Sequence, residues 1–379
     1  MKYIFTLVVL LGLSSFCVSQ DYAKDATFGK LEVVATLNGA LPTGISVSND
    51  GRIFVNYPQW GDDPKFTVGE IVNGKEVAYP NAEINRLDLK NQQEHLVSVQ
   101  SVVVDTTGKR LWMLDTGSMH FAPTTFGGPK LIGVDLATNK IFKKIIFPTD
   151  VAGPSTYLND IRFDLNRGKE GMAFITDSGA FGIIVVDLAT GKGWRRLQNH
   201  PSTHPQPGFI TVVEGKIFEQ YVPGQPKYLS VGSDGIAISA DHKWLYYCAL
   251  SGRHFYRVSI DALADPNKSE EDVAKTVEDL GEKGGFGDGM ESDAQGRVYY
   301  GDCEHESIHR WNPDGKRETV VHDPRILWPD TLSFANDGYL YFTTNQIERQ
   351  GDFYKDNSDH RVKPWVIYKV KTDGTRINQ

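Results

Sequence analysis

The chain has 379 residues, a formal net charge of −8, and aromatic content of 11%. Phosphate binding needs a concentrated basic face, and no run of Lys or Arg supplies one, so composition excludes a nucleic-acid partner. The 37 Gly suit many tight turns, and 19 Phe, 16 Tyr and 7 Trp suit large side chains packed between sheets.

In chain order the first element is a leader. Lys2, an apolar stretch over 4–13 and small residues at Cys17 and Ser19 read as a signal peptide over 1–19, with cleavage before Gln20 and export to the exterior or periplasm. The apolar run falls short of the ~20 residues that cross a bilayer, so no membrane span is expected. The remainder, 20–379, is expected to form one domain, since a radial array of small sheets takes such a length as one unit.

From residue 43 onward a small turn followed by an apolar strand recurs six times. The copies open at Thr43-Gly44-Ile45, Gln100-Ser101-Val102, Asn159-Asp160-Ile161, Asp234-Gly235-Ile236, Asp288-Gly289-Met290 and Asp330-Thr331-Leu332. Units too small to close a core alone, repeated at uneven spacing, predict an all-β fold, a six-bladed β-propeller. A second series of strands interleaves with the first: 84–89, 131–136, 183–188, 255–258, 308–311 and 367–370, several followed by turns such as Asn312-Pro313-Asp314-Gly315. The strand over 30–37 precedes the first unit and is expected to join the last blade beside 366–370, so that the two ends close the ring and leave no open sheet edge.

Residues 56–80 and 116–130 lack strand alternation and read as long loops on one face, where binding usually sits. Residues 200–230 hold five prolines (201, 205, 207, 223 and 226) and read as a loop with one strand over 208–213. Ser269-Glu270-Glu271-Asp272 opens an apolar pattern of Val273, Ala274, Val277 and Leu280, a capping box and a short amphipathic helix beside blade 4. Cys248 and Cys303 occupy nearly equivalent places in consecutive blades. Packed sheets lie ~10 Å apart and a disulfide needs Cα atoms within ~7 Å, so two buried thiols are expected in preference to a bond.

The innermost strand of each blade starts near the axis, so Thr43, Gln100, Asn159 or Asp160, Asp234, Asp288 and Asp330 are expected to converge on one funnel. Every one is polar. Crowded carboxylates repel unless a cation or a proton compensates them, and an all-oxygen cluster suits a hard cation, calcium or magnesium. Asp-Gly and Asn-Asp at strand starts also form tight turns through side-chain to backbone hydrogen bonds, with no metal. His120 is a candidate ligand or base at the funnel mouth. His200 with His204, and His305 with His309, have the spacing of a helical zinc pair, but they fall in loop or strand, where the rings are expected to stay apart. The Gly-x-Ser-x-Gly elbow, the phosphate-binding Gly-rich loop and Cys-x-x-Cys are all missing.

Leu111-Trp112-Met113-Leu114-Asp115-Thr116-Gly117, the stretch from Asp160-Ile161-Arg162-Phe163-Asp164 through Thr176-Asp177-Ser178-Gly179 to Trp194-Arg195, and Asp234-Gly235-Ile236-Ala237 with Trp244-Leu245-Tyr246-Tyr247 resemble the yellow and major royal jelly protein family. That resemblance spans most of the chain and implies a secreted six-bladed propeller with a ligand-binding central cavity; family members are binders of small amines, pigmentation-associated proteins and nutritive proteins. A more distant likeness is to the gluconolactonase and senescence marker protein group, whose funnel holds a divalent cation. It implies Asn159, Asp234 and Asp288 as metal ligands. That group also supplies a Glu from its first blade, where this chain has Pro42-Thr43.

Two functions therefore compete. In a hydrolase, a cation would polarise a lactone carbonyl and acidify its bound water while Asp234 or Asp288 takes a proton. In a binding protein, the funnel residues Thr43, Gln100, Asp160, Asp330 and His120, with the carboxylates, would hold a cationic amine under aromatic side chains from the loops. The missing first-blade acid costs a metal one ligand and an amine little; the acidity of Asp288-Gly289-Met290 favours the enzyme.

Overall fold

The computed structural model describes residues 27–222 and 225–377, and the leader expected over 1–19 lies outside them. Short runs rich in β-branched and aromatic residues, closed by Gly, Asn or Asp turns, pair into six four-stranded antiparallel sheets among the described residues. Their inner strands are Ile45–Val47, Val99–Val104, Leu158–Asp164, Ser233–Ile238, Met290–Ser292 and Pro329–Phe334. Each touches the next and the last touches the first, which closes a six-bladed β-propeller.

Large side chains fill the gaps between blades. Between blades 2 and 3, Trp112 stacks on Phe163 at 5.1 Å within a cluster that includes Leu114, Phe147, Leu158 and Ile175. Full burial of each such side chain stabilises by roughly 1.5–3 kcal/mol. As expected, the ring closes through blade 6, where Leu31–Leu37 pairs antiparallel with Trp365–Lys371, from Leu31 opposite Val370 to Leu37 opposite Trp365. Beyond that strand the tail crosses beneath the ring. Arg376 donates to the carbonyls of Val47, Val104 and Asp105 on blades 1 and 2, and Arg376 bridges Asp293 on blade 5.

Several local expectations are corrected. Residues 56–80 are not one loop, because Val68–Val72 and Lys75–Ala78 form the outer half of blade 1. The strand expected over 84–89 is replaced by a single helical turn, Ala82–Asn85, because the Asn81 side chain caps the Ile84 N–H. The capping box is present, with Ser269 accepting from the Asp272 N–H, but the helix ends at Ala274 and Glu278–Glu282 becomes the outer strand of blade 4. Within 208–213 only Val212–Val213 is strand, paired with Lys216–Ile217. Cys248 and Cys303 are free and buried. Among the described residues no helix is long and apolar enough to cross a membrane.

Candidate functional site

The polar residues reach the axis through irregularities in the inner strands. Register shifts fall between Val99 and Ser101, between Leu158 and Ile161, between Ser233 and Ile236, and between Pro329 and Leu332. These intervals contain Gln100, Asn159-Asp160, Asp234-Gly235 and Asp330-Thr331, so four of the six predicted positions sit in a bulge, a device that re-aims side chains out of the regular pleat. Glycine lets neighbouring blades approach there. A Cβ on Gly235 would lie 2.3 Å from the Asp288 carbonyl oxygen, and one on Gly289 would lie 2.3 Å from that of Asp330.

Above the bulges lies a cavity of 660 Å³. Gln100, His120, Asn159, Asp234 and Asp288 line it. Thr43, Asp160 and Asp330 lie outside its wall and are held in buried polar contacts. Asn56 donates to the Thr43 hydroxyl at 2.8 Å, Ser101 donates to Asp160 at 2.8 Å, and Asn345 donates to Asp330 at 2.7 Å. Burial raises the acids of Asp160 and Asp330, Asp330 well above the usual range, with the charges of Asp288 and Asp160 adding to the effect.

The floor of the cavity is a carboxyl pair. Asp234 and Asp288 are buried side by side and their titrations depend on one another. Burial, and then the charge of Asp288, push the Asp234 acid well above the carboxylate range. Burial also raises Asp288, while the neighbouring Asp234 and donation from the Trp328 indole, at 2.8 Å, act to lower it. Burial and like charge thus oppose ionisation of both carboxyls together, Asp234 more strongly than Asp288. Asn159 donates to Ser178 at 2.9 Å, and Ser178 donates to the Ser233 carbonyl at 2.8 Å, which fixes the amide beside the pair.

The walls are aromatic. Trp60 donates its indole N–H to the Tyr157 hydroxyl at 2.7 Å, and Tyr157 donates to Gln100 Oε1 at 3.0 Å. Burial pushes the Tyr157 phenol far upward, so it stays a neutral donor. Phe121 lies between these rings, with centroids 5.3 Å from Trp60 and 5.4 Å from Tyr157. His120 and Phe121 are consecutive left-handed residues, φ 50° and 58°, held by the His120 N–H on the Gln59 carbonyl. Trp328, Phe218 and Phe353 also line it, their rings tilted against one another in that order with centroids 5.2 and 4.3 Å apart. None of these aromatics was singled out by sequence. The available signal was position: Tyr157 and Trp328 each stand one residue ahead of an inner strand.

Two buried aspartates brace the loops that carry this wall. Asp115 accepts from the Val97, Ser98 and Gly117 N–H groups and from Lys130 Nζ at 2.7 Å. Asp177 does the same for Tyr157, Gly179, Ala180 and Arg195. Both lie in the segments that carry the family resemblance.

Among the described residues no three His, Cys, Asp or Glu side chains are grouped to hold a metal. The histidines of blade 5 share an acceptor: His305 Nδ1 and His309 Nε2 both reach Asp302 Oδ2, at 2.8 and 3.1 Å. A turn after Asp302 folds His305 back toward that carboxylate. They line an open groove on the flank of blade 5, not the axis.

The fold and cavity define a class, the six-bladed propellers whose central pocket is acidic at its floor and aromatic at its walls. Within that class the chain belongs to the major royal jelly protein family, whose model matches residues 97–371. Among curated relatives it is 27% identical to Protein yellow of Drosophila guanche and 26% identical to that of Drosophila melanogaster, each over 247 residues and 61% of this chain. Those matches cover 41% and 43% of the relatives' own length, so less than half of either relative is represented. Among solved structures it resembles a luciferin-regenerating enzyme (TM-score 0.56, 12% identity, 93% of this chain and all of that one). It also resembles regucalcin, a calcium-binding protein of Agrobacterium tumefaciens (0.53, 13%, 92% and 98%), and a gluconolactonase of Xanthomonas campestris (0.51, 12%, 90% and 89%). At such identities the likeness concerns the fold.

Proposed function

We propose that the protein is an exported binder of a small cationic amine, held in the central cavity. The observation that carries this reading is a pair of buried carboxyls, Asp234 and Asp288, that line the cavity together with aromatic rings. An ammonium group supplies the positive charge that the pair lacks, and its apolar part packs between Trp60, Phe121 and Tyr157 on one side and Trp328 on the other. Lys283, the buried cation that lowers Asp288, is engaged by the Gly285 carbonyl at 2.9 Å and lies outside the wall. The leader over 1–19 supports export.

Titration calorimetry with arylalkylamines tests the reading. The expected result is a dissociation constant on the order of micromolar, ~8 kcal/mol of binding free energy, with the matching neutral alcohols at least about tenfold weaker, because a buried charge pair is lost. Equal affinity for amine and alcohol would sink it. Calcium or magnesium on Asn159, Asp234 and Asp288, serving lactone hydrolysis, is the competing reading. It would prevail if calcium chloride bound with one equivalent and a lactone were hydrolysed only in its presence, with both effects lost in Asp288→Ala.

A further inference from the structure

One wall of the cavity is made by two short helical turns, Ile347–Arg349 and Gly351–Phe353, which hang between the middle strands of blade 6. This wall is clasped from the side by the hairpin Val212–Ile217. Arg349 holds Glu214 through both guanidinium and carboxylate ends, Lys216 lies 4.8 Å from the ring centre of Tyr354, and Phe218 packs on Phe353. The hairpin is itself anchored to blade 5, since Thr211 donates to Glu304 at 2.6 Å. Beneath the clasp sits Glu348, 6% exposed, with neither carboxyl oxygen hydrogen-bonded to another residue. The charged groups that face it are Glu214 from the hairpin, Glu306 from the turn of blade 5, and Arg349 beside it, which Glu214 already engages. Cys303 is the neighbouring thiol on the blade 5 side.

We propose that residues 347–354 are a gate on the central cavity, seated by the Glu214–Arg349 clasp and governed by the protonation of Glu348. A buried carboxyl without partners seats comfortably only when neutral. Once ionised it is an unpaired buried charge beside two other acids, and moving the 347–354 segment outward gives it water. Burial lifts this acid to about 8, so the change falls in a mildly alkaline range. Moving the segment also separates Phe353 from Phe218, which rests on Trp328, the donor to Asp288. The proposal extends the reading of the cavity as a ligand site, but its test needs no ligand.

The reporters are the amides of Arg349, Gln350, Phe353 and Tyr354, which donate to the carbonyls of Gln346, Ile347, Gln350 and Gly351. Hydrogen-exchange protection, corrected for the intrinsic pH dependence, should fall at least about tenfold between roughly pH 6 and pH 8 as local opening releases Glu348 to solvent. In Glu348→Gln it should stay flat. In Arg349→Ala it should already be low at the acidic end. Constant protection in the unmodified protein overturns the proposal whether or not the variants fold, and so does an equal loss in Glu348→Gln. If Arg349→Ala keeps full protection, the clasp is not what seats the gate.

Discussion

Gly235 stands where the inner strand of blade 4 crosses the Asp288 carbonyl, and no other side chain fits that gap. Gly235→Ala should cost about 1–3 kcal/mol through overpacking, read as a lower urea midpoint at unchanged slope. It should also weaken amine binding by spreading the Asp234 and Asp288 carboxyls. Those carboxyls set a pH dependence. The Asp234 acid is raised, so its proton is lost only at higher pH, and amine affinity should climb as pH rises until the amine itself deprotonates. Affinity that falls over the neutral range would contradict a raised Asp234 acid. At this scale the polar ring was legible because each member opens a repeated strand. Trp60, Phe121, Tyr157 and Trp328 were not, because they lie in connections without periodicity, where only the folded chain brings them together.

The element that positions most of the wall is the turn following the second strand of a blade. In blade 2 it is pinned by Lys130 and Asp115, a fully buried pair 2.7 Å apart. Removing one partner strands the other charge, so Lys130→Met should destabilise by about 3–5 kcal/mol, while Lys130→Met with Asp115→Leu should recover part of that loss. Thermal unfolding of the two variants decides it; a double variant no better than the single one would show that the backbone bonds of Asp115 matter more than its charge. These turns also explain the uneven reading of blade 1. Val68–Val72 is a short strand framed by Pro, Gly and aromatic residues, whereas 84–89 alternates like a strand but begins inside the Asn81-capped turn Ala82–Asn85. Where a local cap competes with alternation, the cap decides because its hydrogen bond forms without distant partners.

Across the whole molecule, six units and the closing strand were visible in sequence because the turn-then-apolar-strand pattern recurs despite uneven spacing, while the gate over the cavity is an insertion into one unit and follows no repeat. Glu348 in that insertion affects global stability with a definite sign. Its folded value of about 8 lies above its ordinary one, so stability is fully present below the ordinary carboxylate range and is lost as pH rises toward 8. Glu348→Gln should therefore raise the melting temperature most near pH 8 and least near pH 5. A uniform shift across that range would mean that the side chain is ionised throughout.

Blade 6 has one further consequence, which concerns time. The Trp365 indole reaches the Gly39 carbonyl across 326 positions of sequence, and Leu31–Leu37 waits for the complementary strand through the synthesis of every other blade. A chain growing on the ribosome thus carries an unfilled sheet position at its leading end until nearly everything else has emerged. Such distant pairing makes closure the slow event of folding, and during that wait the open edge is the part of the nascent protein most in need of a chaperone.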